Sequence, residues 1–549
     1  MTFAYSRRNL SGRQAALQRA LEILPGLTSW MILVGMTILS ISWPLTAAIL
    51  IIAFDFYWFL RLIYMTIFLV LSYARLIIES RTPWVERVHA VDALIKNGRP
   101  PSLGNGGPKR FISRHFYRKD LKTLRTTGDL PALSRDIFHV VIIPVSKEPR
   151  GIYESGIRSL ASQDFPPKQL IVVLAVEERA TEQVRKDTQA VANQYREEFF
   201  DMMMVLHPDG IPGEARVKGA NVTCAARRVT EYLRDKKIPL ENVLVSCFDA
   251  DTIVPPNYFA CLTYHFMVTP RRTQASFQPI PVYHNNIWDV PGFARVMESG
   301  SSFFQLIEAT NPERLVTFSS HSMSFKALVD VGYWPVDMIS DDSAIFWKAY
   351  IHFNGHYKAV PMYITLSMDV VAAANWWKTA RGIYKQKRRW AWGVENFPIV
   401  LRAFLQAREI PLVNRIKHSV KLFEGHVSWA TWGFLLSFIG WLPIIFGRGE
   451  FAKSVMYYNA PQVAGTIFNL ATLSLLISIV LSVLLMPKSK RKYSWKMKLI
   501  HSLEWLSVPI ILVFLNALPA LDAQTRMMMG RPMEFWVADK RRKQETQTP

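Results

Sequence analysis

The sequence predicts an α/β domain of the parallel-sheet type set between groups of transmembrane helices. Two observations predict it. Half of the 549 residues are hydrophobic, more than a soluble enzyme usually carries, and the long apolar stretches fall within residues 27–78 and 427–518. Between them, from His139 to Trp392, short apolar runs alternate with polar, helix-compatible segments, the pattern of strands joined by crossover helices.

The first apolar stretch, Leu27 to Leu45, follows Arg7, Arg8, Arg13 and Arg19. A cleaved leader would be followed by a polar chain, but a second apolar stretch begins at once, so both are expected to be retained. That second stretch, Thr46 to Ile78, exceeds the roughly 20 residues of one span and is expected to tilt or to emerge from the bilayer. Asp55 and Arg61 lie inside it, where charge is costly; a pair satisfied within a helix bundle is the leading expectation, and a role on a substrate path the alternative. The turn Ser42-Trp43-Pro44 has no basic residue, whereas Arg75, Arg81 and Arg87 flank the hairpin, so both its ends are expected to be cytosolic.

Residues 1–80 are thus expected to form a transmembrane hairpin, and the basic, Gly/Pro-containing residues 81–136 a cytosolic linker. Residues 137–395 form the catalytic domain, with strands at His139–Pro144, Leu170–Val176 and Val243–Phe248. Residues 396–425 mix apolar side chains with Arg402, Arg408, Arg415, Lys417 and Lys421, as helices lying on a membrane surface do. Residues 426–520 carry three further spans, Val427–Phe446, Val463–Leu485 and Leu499–Leu518, and 521–549 form a basic tail. Three spans would carry the tail across the membrane, yet Lys540, Arg541, Arg542 and Lys543 favour the cytosol. Re-entry of the segment holding Pro509 and Pro519 would resolve the conflict. The formal charge of +22 suits anionic lipid heads and needs no nucleic-acid partner, for which no recognition motif is present. The three cysteines, Cys224, Cys247 and Cys261, have neither zinc-site nor disulfide-framework spacing.

The chemistry starts at Asp249-Ala250-Asp251, which closes an apolar strand. Two carboxylates at the carboxyl end of a sheet strand can hold a hard cation that bridges substrate phosphates. By themselves they are an ordinary turn, but Lys218-Gly219-Ala220-Asn221 precedes them, and Ser340-Asp341-Asp342 and Gln386-Lys387-Arg388-Arg389-Trp390 follow. Transfer of an activated sugar needs those parts: a cation on the leaving diphosphate, a base for the acceptor hydroxyl, positive charge for the phosphates and an aromatic face for a sugar.

On these residues the sequence resembles the family 2 glycosyltransferases, and within them the membrane-embedded synthases of cellulose, chitin and hyaluronan. Asp249-Ala250-Asp251 resembles their DxD, Ser340-Asp341-Asp342 their TED, and Gln386 to Trp390 fits QxxRW. Lys218 to Thr223 resembles a KAGNIN stretch, and Phe535 to Lys540 the FxVTxK gating loop of bacterial cellulose synthases. The resemblance implies a GT-A-type α/β domain with an all-α transmembrane bundle in the cell (inner) membrane, the catalytic domain cytosolic. It implies an inverting hexosyltransferase using a UDP- or GDP-sugar and Mg²⁺ or Mn²⁺, with a glycan or lipid-linked acceptor. Asp342 would be the base, Asp251 and Asp249 would hold the metal, and Gln386 and Arg389 the diphosphate. Trp390 would stack on the acceptor, and Lys218, Glu148 and Glu177 would surround the nucleotide. Departures are Glu177-Glu178 where an aspartate pair is usual, Ser340-Asp341 for the first two residues of TED, and Ala538 for the gating threonine.

Processive synthesis coupled to translocation is the leading expectation, and single transfer to a lipid carrier or short glycan the alternative. A transporter would show repeat-like transmembrane halves, which the unequal spans lack. Ser320 and His321 lack the glycine pattern of a nucleophile elbow, so His321 is expected to be structural.

Overall fold

The computed structural model describes residues 3, 5–8, 10–98, 108–447, 451–487, 495–533, 536 and 542. Seven strands, β1 Phe138–Val145, β2 Leu170–Glu177, β3 Asp201–His207, β4 Val243–Cys247, β5 Ala275–Val282, β6 Ser322–Ser324 and β7 Lys358–Ser367, form one sheet in the order β3-β2-β1-β4-β6-β5-β7. β1 to β4 run in parallel, as do β5 and β7, and β6 is antiparallel to β4 and β5.

β1 and β2 are apolar at nearly every position because both faces of the sheet are covered. The pleat divides their side chains between two cores. Val141, Ile143 and Val145 of β1 and Leu170, Val172, Leu174 and Val176 of β2 face the first. Val140 and Ile142 of β1 and Ile171, Val173 and Ala175 of β2 face the second. Helices Lys218–Asp235, Asp341–His352 and Asn396–Gln406 contribute to the second core, and Arg150–Ala161 and Tyr258–Val268 to the first.

The structure corrects three expectations. Residues 84–97 and 108–127, expected within a linker, form helices whose Trp84, Val91, Leu94, Tyr117, Leu121 and Leu124 join the first core. Their apolar positions recur at helical spacing, a signal masked by the many intervening charges. Helix Asn396–Gln406, expected to be amphipathic, is mostly buried, Arg402 included, and packs on helix Asp341–His352. Arg61 pairs with Glu424 and Tyr57 rather than Asp55. Six residues advance a helix by about 600°, which leaves Asp55 and Arg61 on different faces, and Asp55 is buried against the bend near Gly440.

Among the described residues four helices are long and apolar enough to cross a membrane, Gly12–Ser42, Pro44–Ser80, Tyr457–Leu485 and Leu499–Met528. The pair Leu412–Ser437 and Ile439–Phe446 qualifies only jointly and is bent by 47°, so the break lies at Phe438 and not at Pro509 or Pro519. Arg542 bonds to Asp369 beside the sheet, and Tyr5 to Asn396. A residue from before the first long helix and one from after the last therefore both meet the sheet or the helices that cover it. The basic loop Lys488–Lys492, Lys540, Arg541 and Lys543, and the gating-loop-like segment apart from Trp536, lie outside the described residues.

Candidate active site

β1, β2 and β4 are parallel neighbours, so their carboxyl ends share one edge of the sheet, the edge where ligands bind in such sheets. Glu148 follows β1 and accepts hydrogen bonds from the backbone N–H groups of Ser146 and Lys147 at 2.8 and 2.9 Å. Glu177 ends β2, is 8% exposed and pairs with Arg179. Asp249 and Asp251 follow β4.

Lys218 opens the helix Lys218–Asp235, and Asp341 and Asp342 open the helix Asp341–His352. Gly219 lets the two helix starts meet, since a Cβ there would lie 2.3 Å from the Pro335 carbonyl oxygen. The Lys218 ammonium consequently sits among carboxylates, 2.7 and 2.9 Å from the two oxygens of Asp342, 3.3 Å from Asp249 and 3.5 Å from Asp341. Burial works against its charge, but Asp249, Asp341 and Asp342 outweigh it and hold the ammonium well above the usual lysine range. Lys218, expected beside the nucleotide, thus lies at the centre of the acidic cluster.

The two acids of the Ser340-Asp341-Asp342 turn differ. The Asp341 side chain is 2% exposed, and burial pushes its carboxyl up against the pull of Lys218. Asp342 is 22% exposed. Glu395 fixes the turn, accepting from the backbone N–H groups of Ile339 and Ser340 and from the Ser340 hydroxyl at 2.8 to 3.0 Å.

Asp251 is fully buried, and its Oδ2 accepts from the Asp369 backbone N–H at 2.7 Å. Arg542 donates to Asp369, to the Ser155 hydroxyl and to the Asp251 carbonyl. Among the described residues no group of three or more His, Cys, Asp or Glu side chains could hold a metal. Two carboxylates still fit Mg²⁺ or Mn²⁺, because such ions take one or two protein carboxylates when substrate phosphates supply further oxygens. Lys218 against Asp249, and Arg542 against the Asp251 carbonyl, mark the spot as one that draws cations.

Helix Trp376–Ala391, capped by the Asn375 side chain accepting from Lys378, brings Gln386, Arg389 and Trp390 to one face. Arg389 donates to the Trp536 carbonyl at 3.3 Å, and Gln386 is buried. Trp390 packs on the core with Tyr283 6.1 Å away and the Lys387 ammonium 3.7 Å from its ring centre. Lys387 in turn bonds to Glu298 and Ser301, both at 2.9 Å. Arg388 faces away, toward Asp522. His321 is buried with Nδ1 bonded to the Phe318 carbonyl, a structural role, and burial lowers its pKa.

Sequence reasoning missed Asp369, Glu395, Lys387 and Glu298. Asp369 carries the signal that flagged Asp249, an acid just past a strand, and Glu395 is a lone acid in an apolar run. Glu298 reads as an ordinary helix charge.

Residues 244–520 match the family described as Glycosyl transferase family group 2, and the chain belongs to that family. It carries an α/β domain, and part of it is similar to polysaccharide synthases. Over 190 residues it is 28% identical to the poly-beta-1,6-N-acetyl-D-glucosamine synthase of Staphylococcus aureus (strain COL), covering 34% of this chain and 42% of that protein. The enzyme of that name from Staphylococcus epidermidis is 26% identical over 195 residues, 35% of this chain and 43% of its own. The chain thus spans less than half the length of the curated relatives it matches. Among solved structures, a mannosyltransferase, PcManGT from Pyrobaculum calidifontis, in complex with GDP-Man and Mn²⁺, aligns at TM-score 0.35 and 14% identity, covering 78% of this chain and 99% of that one.

Proposed function

We propose that the protein is an inverting, processive polysaccharide synthase of the cell membrane, with its catalytic domain in the cytosol. The observation that carries this reading is one ammonium, Lys218, touching both Asp249 of the donor side and Asp342 of the acceptor side. Base and leaving group then act within one cluster of charges.

Asp342 takes the proton of the acceptor hydroxyl as that oxygen attacks the anomeric carbon, and the bond from that carbon to the diphosphate oxygen breaks on the opposite face. Lys218 orients Asp342 by donating to both of its carboxylate oxygens. A Mg²⁺ or Mn²⁺ ion held by Asp249 and Asp251 would supply charge stabilisation on the diphosphate. Arg389 and Gln386 lie toward the diphosphate, and Glu148 and Glu177 toward the nucleotide. Trp390 offers a face for the acceptor ring, with Tyr283 packed beside it. The relatives' product makes N-acetylglucosamine the first sugar to test.

The test offers the purified protein, in lipid, a panel of UDP- and GDP-sugars with either metal, and records nucleotide release and product size. Polymer formed from one donor supports the reading. Release of a product carrying a single added sugar would move it to transfer onto a lipid carrier or short glycan.

A further inference from the structure

We propose that Tyr5, ahead of the first long helix, is a positioning residue for glycosyl transfer: acting through Asn396, its hydroxyl fixes the turn Ser340-Asp341-Asp342 and with it the carboxylate that takes the acceptor's proton. This rests on the reading of Asp342 as the base given above. Tyr5 is 391 residues from Asn396 in the chain, yet its side chain is buried in the second core and its hydroxyl donates to the Asn396 Oδ1 at 2.7 Å.

Three observations carry the assignment. Asn396 is 1% exposed, and its Nδ2 donates to the hydroxyls of Ser340 and Ser343 at 3.0 and 3.1 Å and to the Gly393 carbonyl at 3.1 Å. An amide oxygen only accepts and its nitrogen only donates, so a donor at Oδ1 keeps the nitrogen on the turn. Ser340 passes the contact on, because its hydroxyl donates to Glu395, which also accepts from the backbone N–H groups of Ile339 and Ser340. Finally, the residue after Tyr5 holds the approach to the same turn. The Ser6 hydroxyl donates to Asp337 at 2.7 Å, while Arg402 secures the segment by donating to the Ser6 carbonyl at 2.7 Å.

The phenol suits this task. Burial, and after it the charge of Glu395, push it well above its ordinary range, so it keeps its proton and donates. Phenylalanine in its place would keep the ring in the core and remove only the donor. The Asn396 oxygen would then be buried without it, a cost that rotation of the amide away from Ser340 relieves. Ser340 caps the helix that Asp341 and Asp342 open, so freedom at Ser340 becomes displacement of the Asp342 carboxylate, and misplaced reacting groups lose rate. Asp249 and Asp251 follow β4, a different element, so donor affinity is expected to hold.

Wild type, Tyr5→Phe, Asn396→Ala, the double variant and Asp342→Asn are compared in lipid nanodiscs with the sugar nucleotide that wild type turns over. Calorimetry gives donor affinity and counts donor-binding sites, and nucleotide release at saturating donor and acceptor is expressed per site, so unfolded enzyme does not enter. Tyr5→Phe is expected to lower turnover about fivefold, the value of one buried neutral hydrogen bond, with donor affinity within about twofold of wild type. In the Asn396→Ala background the same change is expected to add no further loss, because Tyr5 acts through Asn396. Wild-type turnover in Tyr5→Phe, or a further loss of similar size in the double variant, overturns the inference. Loss of donor binding in Tyr5→Phe also overturns it, by assigning Tyr5 to folding. Wild-type turnover in Asp342→Asn fails the reading of the base and takes this inference with it, a failure read in that variant alone and apart from the Tyr5 variants.

Discussion

Replacing Asp342 by Asn separates the proposed base from its buried neighbour. Asn keeps the shape and one oxygen for Lys218, which retains Asp249 as an ionic partner, but it cannot accept the acceptor's proton. A positioned base contributes about 10²–10⁴-fold, or about 2.7–5.5 kcal/mol at 1.36 kcal/mol per decade, so turnover should fall by that factor. Donor affinity should change by less than about fivefold, because a partly exposed ion pair contributes about 1 kcal/mol or less. Asp341→Asn provides the contrast. Burial already favours the neutral form of Asp341, which Asn mimics, so its turnover should stay within about tenfold of wild type. The assay is nucleotide release at saturating donor and acceptor, beside calorimetric donor binding. An Asp342→Asn enzyme within about threefold of wild type, or an Asp341→Asn enzyme more impaired than it, would refute the assignment.

Asp251→Asn should abolish metal-dependent turnover, because it takes a charged ligand from the cation that would offset diphosphate charge; activity that survives without added metal contradicts the metal role. Trp390→Ala should shorten or abolish polymer more than it weakens donor binding, since misplacing the acceptor by about 1 Å costs on the order of a hundredfold; product length and donor affinity measured together decide it. Gly219→Ala should lower both thermal stability and turnover, because its Cβ would meet the Pro335 carbonyl at 2.3 Å; an unchanged melting temperature would show that the helix starts can separate freely.

The class of the molecule is legible in local pattern. Uninterrupted apolar stretches mark the long helices, because a segment in hydrocarbon must satisfy its backbone internally and needs only length and composition to be recognised. The three strands expected at His139, Leu170 and Val243 form β1, β2 and β4, because strands covered on both faces read as continuous apolar runs. The motif residues Asp249, Asp251, Asp342 and Trp390 stand out for a similar reason, each lying at a strand end, a helix start or on a short basic helix.

Which charges meet is a property of the folded chain alone. Lys218 is 124 residues from Asp342, and Lys387 is 89 residues from Glu298; a charge has no periodicity by which its distant partner can be read. The same holds for the helices 84–97 and 108–127, which join the core through contacts with helix Tyr258–Val268, and for Arg61, whose partner Glu424 lies on another helix. Local pattern fixes which face of an element is apolar, but the pairing of buried charges is settled by the closure of long loops, after which desolvation makes each unpaired charge costly.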